Sequence, residues 1–311
     1  MTDQVAQISY PSEERGLSTK HREWLAGYLF VLPDALGLFI FLGVPMVLSL
    51  VIGFFEVDGF GGYRFVGLAN YQRMMRDPLF WQAARVTALY AILLVPLLFV
   101  CGLGLALLVQ KSNRFNSVIR SMFFAPHVVS LVVVALVWQL MSVDKIGILS
   151  RLMSALGIPG VSLLGDPNLA LLAVVAVSLW FLMGYYMLIF LGGLQDIPVQ
   201  YYEAAEIDGA GPVQRFWYIT LPLLKPTSFF VLMISMVAAV AGAQAFDIIY
   251  VMTKGGPANS TAVLIIYIYQ QAFGFGAFGY AAAMASILVA ALVLMTAILF
   301  LFTRGGRFEH A

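Results

Sequence analysis

The sequence predicts an all-α integral membrane protein with six transmembrane helices, and three observations predict it. The 311 residues are 61% hydrophobic and only 11% charged, where soluble domains hold roughly 25% charged residues. Six apolar runs reach the about 20 residues a helix needs to cross a hydrocarbon core about 30 Å thick. The runs are apolar on every face and lack the strand-length alternation of a barrel, so helices satisfy the backbone in lipid.

In order, residues 1–24 form a polar tail, without the short apolar core of a cleavable signal. The first run, Leu25–Phe55, is overlong and holds Pro33 and Pro45, which predicts a kink or an extension beyond the bilayer. Residues 56–85 mix aromatic and polar side chains, as interfacial segments do. The next runs are Val86–Val109, Ser121–Met141, Leu169–Leu191, Ser228–Val251 and Tyr280–Phe302. Residues 261–275 are apolar but too short to span and follow the breaker "GGP", so they read as a helix on the outer interface. Six spans put both termini on one side. Ten Lys and Arg (Arg15, Lys20, Arg22, Lys111, Arg114, Arg120, Arg215, Lys225, Arg304, Arg307) fall on that side and seven (Arg64, Arg73, Arg76, Arg85, Lys145, Arg151, Lys254) on the other. The excess places both termini, including the tail 304–311, in the cytoplasm.

Several function classes are excluded. A net charge of +1 gives no basic bias toward nucleic acid. Cys101, alone in an apolar run, is an inert hydrophobe. His21, His127 and His310 have no metal-ligand spacing, and no residues pair for catalysis. No Walker A loop is present, so no nucleotide cofactor is bound by this chain and any ATP is used by a partner.

The most polar stretch lies between the fourth and fifth runs: "YYEAAEIDGAGPVQRFWYITLPLLKP", residues 201–226. Pro198 suits the opening of a short helix, Gly209 and Gly211 its end, and Pro212 a second helix. Ala204 and Ala205 give the first helix a face with little bulk, flanked by Glu203 and Glu206. A short, small-faced helix in water between two spans reads as a docking piece.

The spacing Glu203-Ala204-Ala205, three residues, Gly209, nine residues, Ile219-Thr220-Leu221-Pro222 resembles the EAA loop of ATP-binding-cassette importer permeases. "FVGLANYQRMMRDPLFWQA", "TKGGPANSTAVLIIYIYQQAF" and "FGYAAAMAS" resemble the sugar-permease group, of maltose and glycerol-3-phosphate type, over nearly all of the chain beyond residue 24. The resemblance implies a type I ABC importer permease fold, with a first helix and extracytoplasmic segment at 25–81 and a five-helix transmembrane domain at 82–303. Its coupling loop, about 196–226, would seat Glu203, Ala204, Ala205 and Gly209 in a cytoplasmic ATPase, with Leu221 and Pro222 holding the loop's shape. The implied partners are a second permease subunit, two ATP-binding-cassette subunits, an extracytoplasmic solute-binding protein and lipid, in a bacterial or archaeal cell membrane.

Polar residues within the spans mark a path for cargo. In the fifth run Gln244, Asp247 and Tyr250 fall on one helix face at spacings of three. In the fourth, Ser178, Trp180, Tyr185 and Tyr186 offer hydroxyls and rings suited to a sugar. Asp34 reads as interfacial, and His127 as a packing or capping residue. No basic cluster in the spans suggests a phosphate, which favours a neutral oligosaccharide. A polyol or glycerol-phosphate cargo, an ion-coupled secondary transporter and a non-transporting membrane component are the alternatives.

Overall fold

The computed structural model describes residues 19–57, 61–144, 146–155 and 162–302. The N-terminal tail to residue 18 and the chain from 303 onward lie outside them, as do Arg15, Lys145, Arg304 and Arg307 of the charge count. Residues up to Val51 form one unit and those from Ile52 a second.

In the first unit α1 (Thr19–Leu38) passes through a π turn, Phe39–Gly43, into α2 (Val44–Ile52). Val44 N–H bonds to the Phe39 carbonyl, five residues back, just before Pro45. Proline lacks an N–H and its ring crowds the carbonyl four residues back, and the widened turn absorbs both. The run therefore stays one helix of 30 residues, Glu23–Ile52, with no break at either proline.

The second unit opens with an antiparallel hairpin, β1 (Phe55–Val57) and β2 (Tyr63–Phe65), in which Glu56 faces and pairs with Arg64. A short helix, α3 (Ala69–Arg76), follows; its Asn70 amide donates to Gly53 O and Phe55 O at 3.0 and 2.9 Å. The next span, α4 (Pro78–Val109), begins at Pro78 rather than the predicted Val86. Asp77 accepts from Leu79 N at 2.9 Å, and Pro78 fills the first helical position, where no N–H is needed. The fourth span starts by the same device: Asp166 accepts from Asn168 N at 2.8 Å ahead of α8 (Pro167–Gln195).

The third run is not one straight span. It divides into α5 (Arg114–Val128) and α6 (Leu131–Met141), set at 93°. Val129 (φ −80°, ψ 148°) and Ser130 (φ −55°, ψ 126°) leave the helical region just after Pro126, which sits in the last turn of α5. A short α7 (Ile148–Ala155) leads toward α8. Between the fourth and fifth spans lie α9 (Val199–Ile207), α10 (Pro212–Arg215), a second π turn (Phe216–Thr220) and α11 (Leu221–Leu223). The fifth run is also divided, into α12 (Lys225–Ala241) and α13 (Ala243–Met252), by Gly242 in extended conformation (ψ 146°).

Helices α4 and α8 run parallel: Tyr90 hydroxyl donates to Ser178 Oγ at 2.8 Å, and further along Phe99 meets Phe190 edge-on at 5.1 Å. Around this pair sit three of the most buried rings, Tyr90, Tyr186 and Phe190. In lipid, close contact rather than exclusion of water holds such helices together. Gly184 of α8 makes a very close approach, because a Cβ there would stand 1.9 Å from the Phe123 carbonyl oxygen of α5. At the end of α4, Arg120 donates from Nε to Val109 O at 3.0 Å and satisfies a terminal carbonyl. Helices α6 and α13 pack together, and Gln139 Nε2 donates to Met252 O at 3.3 Å. Gln139 is the ninth residue of α6 and Met252 the tenth of α13, so the far ends of the two helices meet.

The segment expected on the outer interface is α14 (Leu264–Tyr269), continued by a π turn, Gln270–Gly274. It is seated in the bundle instead: Val263 and Ile266 are fully buried, and Thr87 Oγ1 on α4 accepts from Leu264 N at 2.7 Å. The last span is α15 (Phe278–Phe302). Among the described residues four helices are long and apolar enough to span alone, and up to six spans result if two bent pairs, α5 with α6 and Pro212–Leu223 with α12 (66°), each count as one.

Asp77 ties this end of the bundle together. It accepts hydrogen bonds from Tyr267 on α14 and Tyr280 on α15, each at 2.6 Å, and the Arg73 guanidinium lies 4.1 Å from the centre of the Tyr280 ring. Burial pulls the Asp77 carboxyl upward, but these two phenols and the Leu79 and Phe80 amides outweigh it and hold it below its ordinary range. The Tyr267 phenol is pushed up by burial and by the carboxylate it serves. A depressed carboxyl stabilises the fold fully above the ordinary carboxylate range, near 4, and loses that contribution as pH falls through the lowered value. Thermal melts of the detergent-purified assembly should therefore be flat from pH 8 to about 5 at this site and fall only in more acid buffer. Asp77→Ala should cost about 2 kcal/mol or more at neutral pH, from two lost hydrogen bonds to a charged acceptor and a lost helix cap.

Candidate functional site

Because α4 and α8 are parallel, the polar stretch after α8 lies at the end where α4 finishes, opposite Asp77. Its structure follows from local chemistry. Pro198 occupies the cap position ahead of α9 rather than its first turn. The helix ends in a paired turn, with Ala210 N bonding Ala205 O at 2.8 Å and Gly209 N bonding Glu206 O at 3.1 Å. That turn needs Gly209 in the left-handed region, and its φ is +79°. Gly211 caps α10, and Gln214 Oε1 accepts from Gly211 N at 2.9 Å. The π turn then ends just before Pro222, as the first one ends before Pro45.

The loop has an inner and an outer side. Ile197, Tyr202, Phe216 and Leu224 pack toward the bundle. Tyr202 hydroxyl shares a 3.0 Å hydrogen bond with buried Thr220 Oγ1 and joins α9 to the π turn. Glu206 reaches Arg215 at 3.2 Å and ties α9 to α10; with Glu206 exposed, such a pair is worth about 0–1 kcal/mol. The outer side presents Glu203 and Ala204 as exposed residues, Ala205 and Gly209 beside them, and Ile207 with 88% of its surface exposed. Val213, Trp217 and Tyr218 are exposed as well. Leu221 and Pro222 are half-buried at the foot of the loop. Sequence reasoning found the helix and its glycine end but not the Tyr202–Thr220 and Glu206–Arg215 links, whose partners lie 18 and 9 residues apart.

Within the membrane the predicted polar residues separate into two groups and one exception. Trp180 on α8 meets Trp138 of α6 edge-on at 5.5 Å. Tyr185 stacks on His127 at 4.9 Å, beside the α5–α6 break. Both Trp180 and Tyr185 are 36% exposed. His127 packs among Phe124, Phe181 and Tyr185, with its Nδ1 buried and unpartnered. The second group is on α13, directly after the Gly242 break: Gln244 and Asp247 are half-buried and Tyr250 is exposed. The exception is Ser178. Fully buried, it donates to Val174 O and accepts from Tyr90, so it joins two helices and faces no open path. Tyr186 is likewise buried in that contact. Among the described residues no three His, Cys, Asp or Glu come together to hold a metal.

Comparison with known proteins bears on both regions. The sequence model of a family described as "Binding-protein-dependent transport system inner membrane component" matches residues 98–306. A probable ABC transporter permease protein of Pyrococcus horikoshii is 37% identical over 84% of this chain and 89% of its own. The trehalose/maltose transport system permease protein of Thermococcus litoralis is 35% identical over 94% of this chain and 97% of its own. A chain in the crystal structure of a bacterial alginate ABC transporter, in complex with an alginate pentasaccharide-bound periplasmic protein, superposes with a TM-score of 0.80. The superposition covers 94% of this chain and 98% of that one at 22% identity, a likeness of fold.

Proposed function

Since the chain belongs to the family of binding-protein-dependent transport system inner membrane components, we propose that it forms half of the membrane passage of an ATP-driven importer of neutral sugars. It is a permease subunit and not an enzyme, and ATP hydrolysis is assigned to a separate pair of ATP-binding-cassette subunits. A second permease subunit completes the passage, and an extracytoplasmic solute-binding protein delivers the cargo. The 201–226 loop and both termini are then cytoplasmic, in agreement with the ten-to-seven excess of basic residues.

The observation that carries this reading is the outer face of α9. The loop leaves Ile207, Val213, Trp217 and Tyr218 exposed together, and a group of large apolar side chains open to water favours cover by another protein. The Gly209 turn and the Tyr202–Thr220 bond mount that face on the bundle, so a push on Glu203, Ala204, Ala205 and Gly209 is passed to α8 and α12 through Leu221 and Pro222. The separate Trp180–Tyr185 and Gln244–Asp247–Tyr250 groups supply rings and hydrogen-bonding groups for a hydroxyl-rich cargo; Ser178 is left out of the path. Sugar is favoured over glycerol-phosphate by the absence, among the described residues, of a basic cluster beside these groups; relatives of equal identity are named for trehalose/maltose, for lactose and for glycerol-3-phosphate.

The test is reconstitution of the four-part complex in proteoliposomes. Uptake of a labelled neutral oligosaccharide should require ATP and the binding protein. Glu203→Lys should insert and assemble normally yet lose binding-protein-stimulated ATP hydrolysis by about an order of magnitude, the scale of about 1.4 kcal/mol of lost coupling. Accumulation by this chain alone, under an ion gradient and without ATP, would establish an ion-coupled transporter instead. Ligand screening of the binding protein separates sugar from polyol.

A further inference from the structure

Five aromatic rings form an unbroken series from α13 to the start of α15. Phe246 stacks on Tyr250 at 5.3 Å and nearly parallel, at 10°. Tyr269 meets both, at 5.1 and 5.3 Å. Phe273 lies 5.1 Å beyond Tyr269, and Phe278 lies 5.9 Å beyond Phe273. The series begins one turn after the Gly242 break and ends where α15 begins, at the end of the bundle opposite the 201–226 loop.

From this we infer that Phe246, Tyr250, Tyr269, Phe273 and Phe278 form a track on which successive rings of an oligosaccharide stack as it passes between the outer surface and the Gln244–Asp247 group. The inference rests on the sugar-import reading above. Three physical points carry it. First, the track runs beside a polar side of α13: Gln244 and Asp247 precede Tyr250 at spacings of three, and a carboxylate turned to hydrocarbon is strongly disfavoured. Second, two of the rings are open, Phe273 70% exposed and Tyr250 37%, and the other three are half-buried rather than sealed in the core. Packing rings bury their faces, whereas a carbohydrate surface leaves a face free for sugar C–H groups and keeps donors at its edge. The hydroxyls of Tyr250 and Tyr269 and the amide of Gln244 are such donors. Third, the track is held fixed from behind. Ile266 and Gln271 are buried, and Gln270 Nε2 donates to Lys254 O at 3.4 Å, so little ordering cost falls on the cargo.

The experiment uses the whole complex with the double variants Tyr269→Leu/Phe273→Leu and Tyr269→Trp/Phe273→Trp. The probes are labelled neutral gluco-oligosaccharides of one to four rings, each loaded on the binding protein at saturation. The leucine pair keeps apolar bulk and removes the π faces; the tryptophan pair enlarges them. Expected is an about ten-fold loss of uptake rate for the longest imported probe in the leucine pair, a smaller loss for shorter ones, and near-full uptake in the tryptophan pair. Recovery of the intact complex should be equal in all three proteins. Unchanged uptake in the leucine pair overturns the track. So does a fall in complex recovery that follows loss of the rings, because the face is then a contact between subunits. Failure of the unaltered complex to import any saccharide sinks the sugar-import reading itself, and is recognised without reference to the variants.

Discussion

Gly209→Val is expected to lower uptake about 5–30-fold while the chain still inserts and assembles. The magnitude follows from strain. Residue 209 has φ +79°, where an L-residue costs about 1–2 kcal/mol and a β-branched one is a true outlier. One or two kcal/mol shifts an equilibrium by a factor of about 5–30. A Cβ at 209 would meet nothing within 4 Å, so the bundle has no steric reason to fail. What changes is the turn that ends α9: the bonds from Gly209 N and Ala210 N are lost, and the Glu203–Ile207 face swings off its mount. Paired assays of uptake and stimulated ATP hydrolysis, normalised to assembled complex, read this directly. Undiminished uptake would show that the shape of the loop does not matter to coupling.

Gly184→Val should fail in the opposite way, by loss of the assembled protein. Its Cβ would fall 1.9 Å from the Phe123 oxygen and 2.4 Å from the Phe123 carbon. Both are backbone atoms of α5, with no flexible side chain to yield. Overpacking a close contact costs about 1–3 kcal/mol, and here the whole of α5 must move, so about 3 kcal/mol or more is expected. Recovery from detergent extracts should drop sharply, and the remainder should melt early. Gly192 on the same helix is the control, since nothing lies within 4 Å of its Cβ; Gly192→Ala should be recovered as the unaltered protein is. Equal recovery of the Gly184 and Gly192 variants would mean that the α5–α8 crossing is looser than described.

The contrast between these glycines shows what could be read in the sequence. Gly209 announced itself through its neighbours: a helix-forming stretch, a glycine, then Gly211-Pro212, all local chemistry. Gly184 lies in an apolar run of the fourth span, and its role depends on a carbonyl some sixty residues away. Apolar runs likewise located the spans, because lipid imposes length and hydropathy, but they carry no direction. The 93° turn after Val128 and the break at Gly242 leave hydropathy unchanged, so neither was foreseen. The early start of α4 was legible in principle: Asp77-Pro78 is a cap followed by a residue suited to a first turn, and Asp166-Pro167 repeats it. The three-sided contact at Asp77 was not, since its phenols are 190 and 203 residues distant. Ser178 misled because a serine in a span signals polarity without saying whether the hydroxyl meets cargo or another helix.

The breaks before α6 and α13 carry a mechanical meaning. A continuous helix can be bent only by giving up backbone hydrogen bonds, and in lipid there is no water to replace them. Here the dihedrals of Val129, Ser130 and Gly242 already lie outside the helical region, while Gly242 N still bonds Ala238 O and Gly242 O accepts from Phe246 N. The two packed helices can therefore tilt against α5 and α12 by dihedral changes at three residues, at the expense of the few capping bonds there and with the rungs inside α6 and α13 intact.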